Sequence, residues 1–386
     1  MKLAPKLLAA AVLAALSTPA LAEITIDVIG GSEVSFEGLL QSDANWFNND
    51  ITDLNGPGTG TGSNGRNSEF ELRRAEIVLK GKGPGNWNWV AGYDAKADKF
   101  LDANVSYRFN AYTFVTVGQY KQPNSLEELS STKNNDFISK AMTTNLQAVA
   151  RRMGAKAEYL QANWGVTGSI YDREMTRNLA QGAGYGFRGY FAPINETNQF
   201  LHLGLSYNDF DAEDINQLPS ARLRVRPDAD LATARLVDTG NFADADSIAT
   251  TGLEAAYVQG PVKIQAEYMT TDVSRTLNPD FTGDSWYVYG TWNITGESYG
   301  YKTGVVTTPL PDAPASGLWQ LALRYDEVNL DDGLVRGGKQ DNWTVGVNWY
   351  WRSNFKLAAN YVYVDVDRQG ISQSPSIFQM RAQFYW

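Results

Sequence analysis

The chain has 386 residues, with 33 lysines and arginines against 43 aspartates and glutamates, one histidine, no cysteine and a formal net charge of −10. The lack of cysteine excludes disulfide staples and thiolate chemistry and fits passage through an oxidising compartment. The acidic balance argues against a nucleic-acid binder, whose footprint is basic.

Met1 to Ala22 reads as a secretory signal: Lys2 and Lys6 begin it, Leu7 to Leu16 is apolar, and Ala20-Leu-Ala22 is a small-x-small cleavage site before Glu23. The apolar run is too short for a retained span; a buried N-terminal helix is the other reading. Cleavage removes two lysines and no acids, leaving residues 23–386 as one domain with a charge of about −12.

Beyond the signal there is no run apolar enough for a transmembrane helix, and alternation with period two takes over. The alternating runs are 33–47, 68–82, 86–96, 100–109, 111–121, 146–160, 163–174, 184–194, 199–212, 247–259, 261–275, 283–296, 317–330, 340–353, 355–367 and 376–386. That is about 16 strands, an even number of the kind single-chain membrane barrels use. Within 343–351, Trp343, Val345, Val347, Trp349 and Trp351 share one face, opposite Thr344, Gly346, Asn348 and Tyr350. At the end of the chain Phe378, Met380, Ala382, Phe384 and Trp386 oppose Gln379, Arg381, Gln383 and Tyr385. A secreted sandwich also alternates. Here the runs are long and aromatics mark their ends, which predicts an all-β transmembrane antiparallel barrel, apolar outside and polar within.

Turn residues punctuate the runs at 83–86, 195–197 and 260–261, and the long connections are 48–67, 122–145 and 213–246. A barrel of this size encloses an aqueous channel. Inward parity falls on Asp102, Arg108, Arg188, Lys263, Arg324 and Arg352. In Glu69 to Lys80, Phe70 and Leu72 set one parity and Ile77 and Leu79 the other. A bulge near Arg73 and Arg74 reconciles them and turns both arginines to the lumen; the alternative is one arginine snorkelling at the rim. Arg222, Arg224 and Arg226 alternate inside the longest connection, just before Pro227, which favours extended backbone. A loop folded into the mouth would present this row to anions in a focused field. A solvated loop reaching acidic neighbours or lipopolysaccharide is the other use.

Several stretches resemble the phosphate-selective porins of the O and P type: "FELRRAEIVLKG" at 70–81, "VGQYKQPNSLEELSS" at 117–131, "FRGYFAPINETNQFLHLGLSY" at 187–207, "RLRVRP" at 222–227, "GLEAAYVQGPVKIQAEYM" at 252–269, "GLWQLALRYDEVNLDDG" at 317–333, "WTVGVNWYWRSNFKLAANYVYVD" at 343–365 and "QMRAQFYW" at 379–386. The resemblance covers nearly all of the mature chain. It implies a homotrimeric outer-membrane porin of 16 strands whose third loop folds inward as a constriction. It also implies an arginine ladder containing Arg73, Arg74, Arg222, Arg224 and Arg226, an inward acid at Asp102 and a lysine near the periplasmic exit at Lys302. The implied partners are phosphate, pyrophosphate or other small anions, with outer-membrane lipid and lipopolysaccharide around the barrel. The sequence departs from the pattern in three places. Glu128, beside Glu127, stands where phosphate-specific members carry a lysine on the constriction loop, and a carboxylate there would repel phosphate. Glu76 replaces a tyrosine, and Lys121 stands where those members have tyrosine.

Enzyme chemistry finds no support. The single histidine, His202, shares a strand face with Gly204 and Ser206 without a nucleophile–base set, and the glycines at 182–186 lack the strand-to-helix context of a dinucleotide site. The acidic stretches Asp209–Asp214 and Asp326–Asp332 offer oxygen donors for calcium but no EF-type spacing. Passive flow needs no cofactor. Three functions remain: a phosphate or polyanion channel, a weakly selective diffusion porin favoured by Glu76, Glu127 and Glu128, and a plugged structural or adhesive barrel.

Overall fold

The structure, a computed structural model, describes residues 24–28, 32–56, 67–176, 182–214 and 216–386. The signal expected at Met1–Ala22 lies outside the described residues. Sixteen antiparallel strands close on themselves: β1 (Ser32–Asn48), β2 (Ser68–Lys82), β3 (Trp87–Asp94), β4 (Lys99–Arg108), β5 (Thr113–Lys121), β6 (Arg151–Leu160), β7 (Trp164–Tyr171), β8 (Gly184–Glu196), β9 (Gln199–Asp211), β10 (Ala245–Gln259), β11 (Val262–Arg275), β12 (Phe281–Asn293), β13 (Leu318–Asp332), β14 (Val335–Trp351), β15 (Phe355–Arg368) and β16 (Ser376–Tyr385). Each pairs with its neighbour in sequence, and β16 returns to β1 with Tyr385 opposite Leu39. Two short segments extend the wall: Ile24–Val28 pairs with the start of β1, and Ile371–Gln373 with the end of β15.

The alternation read from the sequence is the division between lipid and lumen. Trp343, Val345, Phe378 and Met380 are exposed on the outer face, whereas Thr344, Asn348, Gln379 and Gln383 are buried on the inner one. Aromatic contacts form two belts. Trp87–Tyr107, Tyr159–Trp164 and Trp319–Trp349 lie toward the short-turn end, and Trp46–Phe378, Trp286–Tyr325 and Tyr325–Trp343 toward the long-loop end. Rings of this kind sit at the two membrane interfaces. At the seam, Gly38 and Trp386 exchange backbone hydrogen bonds of 3.2 and 3.3 Å. The Trp386 ring covers Gly38 so closely that a Cβ there would meet it at 2.0 Å, so any side chain at this position would displace the ring.

The expected bulge is present. Arg74 pairs with Gln41 and Leu72 with Ser42, so Arg73 is the extra residue of β2. Arg352 departs from its inward parity: it lies in the turn after β14 with φ 55° and stacks on Trp351. Once the strand ends, alternation no longer governs the side chain.

Among the described residues three connections fold into the barrel, and Leu54 of a fourth, 49–67, packs against the second of them. The first two, 122–150 and 212–244, come from the long-loop end. The third, 294–317, comes from the short-turn end, where its neighbours 260–261 and 352–354 are brief. It is not among the long connections expected from the sequence, 48–67, 122–145 and 213–246. The connection 212–244 packs Leu223, Val225, Leu231, Leu236 and Val237 against inward apolar residues of the wall, among them Val328, Leu330, Val362, Val364 and Val366. Burying each such side chain is worth about 1.5–3 kcal/mol, which is why this loop lies against the wall.

Candidate functional site

The connection 122–150 is built to lie across the lumen. Ser125 adopts φ 65° and opens a single helical turn, Leu126–Leu129; its hydroxyl accepts from Glu128 N at 3.1 Å. The free N–H groups of Leu126 and Glu127 donate to Glu267 of β11 at 3.0 and 2.8 Å, and Tyr287 donates to the same carboxylate at 2.5 Å. A wall carboxylate thus satisfies the loop helix's orphan donors. The middle of the loop is tied to the same side of the barrel. Lys263 pairs with Asp136 at 2.5 Å, Asn348 donates to Asp136 O at 2.6 Å, Asn360 accepts from Ile138 N at 2.7 Å, and Lys356 donates to Asn135 O at 2.6 Å. Arg324 of β13 is held at the centre. It donates to Ser139 O at 3.0 Å and pairs with Asp228 and Asp326 at 2.9 Å each and with Glu127 at 3.9 Å.

With the loop fastened to β11–β16, the remaining opening lies against β2–β6. It is a cavity of about 180 Å³ lined by eight cations, Arg73, Arg74, Lys99, Lys121, Lys140, Arg151, Arg152 and Arg381, and three carboxylates, Glu128, Glu174 and Asp230. Lys121 and Arg151 are direct cross-strand partners. Like charges facing each other across a ladder cost stability, so this pairing marks a place where charge density prevails over packing. Three further carboxylates back the cavity: Asp43 grips Arg381 in two bonds of 2.6 Å, Asp102 accepts from Arg151 at 2.9 Å, and Glu76 pairs with Arg74 at 3.1 Å. Counting these, eight cations meet six carboxylates, an excess of two positive charges.

The structure divides the residues singled out from the sequence. Arg73, Arg74, Lys121 and Glu128 line the cavity, and Asp102 stands behind it. Glu127 does not line this opening. Its carboxylate turns back into the loop, accepting from Ala141 N at 3.0 Å and Thr144 Oγ1 at 2.6 Å, at the start of the helix Met142–Gln147. Burial pushes its pKa up, with Arg324 opposing. Glu128 is bound to Lys140, with Lys121 at 3.8 Å. Burial works against its charge, yet the two lysines hold its pKa down to about 2. The repulsive carboxylate expected at this position therefore comes with its own counter-charges.

The row at 222–226 belongs to a two-residue ladder, Arg224–Val225 against Val237–Asp238. Leu223 and Val225 face the wall, and the arginines point the opposite way. Arg222 forms a two-bond pair with Asp238 at 2.8 and 2.5 Å, and Arg226 donates to Ala232 O at 2.6 Å. Arg235 is a fourth member: burial, then Arg226, Arg224 and Arg222, push its pKa down. From the same loop Asp230 reaches the cavity and pairs with Arg73 at 3.0 Å. Burial would raise the Asp230 pKa, but Arg73, Arg381 and Arg74 hold it well below the usual carboxylate range.

Lys302 lies exposed on the hairpin Gly300–Lys302 and Val305–Thr307 within the connection 294–317. Arg188 donates to Gly304 O at 2.9 Å, and Thr308 donates to Asn134 O of the constriction loop at 3.2 Å. His202 is buried beneath the hairpin, with Nδ1 2.7 Å from the Tyr301 hydroxyl and Nε2 3.3 Å from Glu254. Among the described residues, no group of three or more acids, histidines or cysteines is arranged to hold a metal ion. Asp326, in one of the two acidic stretches, is spent inward on Arg324.

Lys99, Lys140, Arg152 and Arg381 line the opening without having been assigned to it from the sequence, and so does Arg151. The doublet Arg151-Arg152 repeats the Arg73-Arg74 doublet, and Arg381 shares the polar face of the last strand with Gln379 and Gln383; those were the available signals, and Lys99 and Lys140 had none.

Comparison with known proteins follows the same lines. The family described as phosphate-selective porin O and P matches residues 41–386. An uncharacterized protein of Caulobacter vibrioides is 29% identical over 286 residues, covering 70% of this chain and 57% of that protein. Porin O of Pseudomonas aeruginosa is 28% identical over 210 residues, 48% of each chain. The chain thus spans about half the length of the curated relatives it matches. Among solved structures, the outer membrane channel DcaP of Acinetobacter baumannii superimposes with a TM-score of 0.60 at 14% identity, over 94% of this chain and 99% of that one. At that identity the likeness speaks for the fold.

Proposed function

The chain belongs to the phosphate-selective porin O and P family of bacterial outer-membrane porins, which are channels and not enzymes, and from that premise we propose that its barrel passively conducts small anions, phosphate and pyrophosphate or polyphosphate first among them. The observation that carries this reading is the cationic excess of the constriction, eight cations against six carboxylates, three lining the opening and three behind it. Guanidinium and ammonium groups there offer charge-assisted hydrogen bonds to phosphate oxygens. The row Arg222, Arg224 and Arg226, with Arg235, stands on the same loop as Asp230 and would gather anions at the approach, since a low-dielectric wall focuses the field. Lys302 marks the exit at the other end. The channel would work as a homotrimer in outer-membrane lipid and lipopolysaccharide, with no cofactor.

A second reading, a weakly selective porin for small nutrients, is favoured by the pairing of Arg381 with Asp43, Arg151 with Asp102 and Arg74 with Glu76, which leaves little charge unspent. Block of chloride current by added phosphate and pyrophosphate in a planar bilayer separates the two. Saturable block in the millimolar range or below, weakened when Arg222, Arg224 and Arg226 are all changed to alanine, supports the anion channel. Current untouched by either anion supports the general porin.

A further inference from the structure

Glu128 lines a cavity crowded with cations, yet only one of its two carboxylate oxygens is used. Oε2 accepts from Lys140. Oε1 lies 3.8 Å from Lys121 Nζ, beyond hydrogen-bond range, and Lys121 directs two of its three donors to the backbone oxygens of Glu128 and Ser130. Asp230, by contrast, has a donor on each oxygen: Oδ2 accepts from Arg73 at 3.1 Å and Oδ1 from Ser139 at 3.3 Å. Among the described residues Glu128 Oε1 is thus an ionised acceptor with no donor in hydrogen-bond range, beside the very cations that would draw an anion in.

An anion held by Arg74, Arg151 or Lys140 would bring its oxygens toward this carboxylate. For an anion made only of acceptors, two negatively charged oxygens would meet and neither could supply a hydrogen. An anion that carries an O–H would complete the vacant bond, and hydrogen bonds to charged groups are the strong ones. A site built to accept such a hydrogen rejects an analogue that lacks it far more sharply than shape alone allows.

We propose that Glu128 Oε1 is a specificity-determining acceptor that makes the constriction favour protonated oxyanions, such as monohydrogen phosphate, over fully ionised oxyanions of the same shape and charge, such as sulfate. This deepens the anion-channel reading and rests on it.

The test is block of chloride current by phosphate and by sulfate at a pH of about 8, where both are essentially dianions. Wild-type protein is expected to be blocked by phosphate at a concentration at least about tenfold below that of sulfate, the effect of one charged hydrogen bond. In Glu128→Gln the amide can donate to sulfate, so the preference should fall to within about threefold, chiefly through stronger sulfate block. Wild-type protein alone gives a second check that needs no variant: arsenate, which is protonated, should follow phosphate, and selenate should follow sulfate. Equal block by all four anions would overturn the proposal while leaving an anion channel in place, and so would a preference unchanged in Glu128→Gln. Absence of block by any of them, with no anion selectivity, would instead remove the channel reading beneath it.

Discussion

Strands β2 to β6 and strands β11 to β16 both point arginines and lysines inward, but the two sets do different work. On the first side Arg73, Arg74 and Arg151 border open lumen and stay partly exposed, and Lys121 beside them also ties the constriction loop through Glu128 O and Ser130 O. On the second side Lys263, Arg324 and Lys356 are buried beneath the loops. Each is spent on holding the constriction loop, through Asp136, through Ser139 O with Glu127, and through Asn135 O respectively. Arg381 stands at the border, gripped by Asp43 yet lining the opening. The same residue type at the same parity is a fastener where a loop covers it and is left to face the lumen where none does.

That contrast predicts its own failures. The largest effect belongs to Arg324. Changing it to methionine leaves Asp228, Asp326 and Glu127 without their shared counter-charge, a loss of about 3–5 kcal/mol for a broken buried pair. The loop should loosen, giving larger and noisier single-channel currents and a lower urea midpoint in lipid vesicles; quiet wild-type currents would contradict the fastening role. Replacing Arg73 and Arg74 by alanine should do the reverse. Stability should fall by no more than about 1 kcal/mol, as for solvent-reached pairs, while phosphate block weakens by about tenfold or more. A variant that blocks normally would mean these arginines are not ligand groups.

Asp230→Asn is expected to act in the opposite direction and more weakly. It frees Arg73 from its carboxylate, so phosphate block should strengthen about threefold; weaker block would show that Asp230 positions Arg73 rather than screening it. The smallest effect is that of acid. The folded pKa of Glu128 is depressed from 4.5 to about 2, so its contribution to holding the loop is complete above the unfolded value and is lost as pH falls through about 2. Conductance and its noise should therefore be unchanged by this group from neutrality down to about pH 4. A transition at about pH 5 that vanishes in Glu128→Gln would place its proton elsewhere.

Much of the wall was legible because lipid and water impose a strict period of two, so every strand from 33–47 to 376–386 could be placed and the parity break at Arg73 located. The interior was less so. Parity shows that Arg324 faces inward, but not that Asp228 and Ser139, from two separate loops, come to meet it. Glu127 and Glu128 look alike in sequence, yet one turns into its own loop and the other into the opening, because helix geometry sets adjacent side chains on different faces. The connection 294–317 carries no alternation, and nothing in it marked which way it would fold. Its partners, Arg188 and Asn134, lie more than a hundred residues away. Long-range pairing of this kind leaves no local pattern.

The most direct test of a cationic constriction is the reversal potential of the purified protein in a planar bilayer under a potassium chloride gradient. The structure predicts a potential of the sign set by chloride, shrinking as salt screens the lining charges. A potential set by potassium, or none, would mean that the carboxylates Glu128, Glu174 and Asp230 govern the opening and that its eight cations are spent holding the loops.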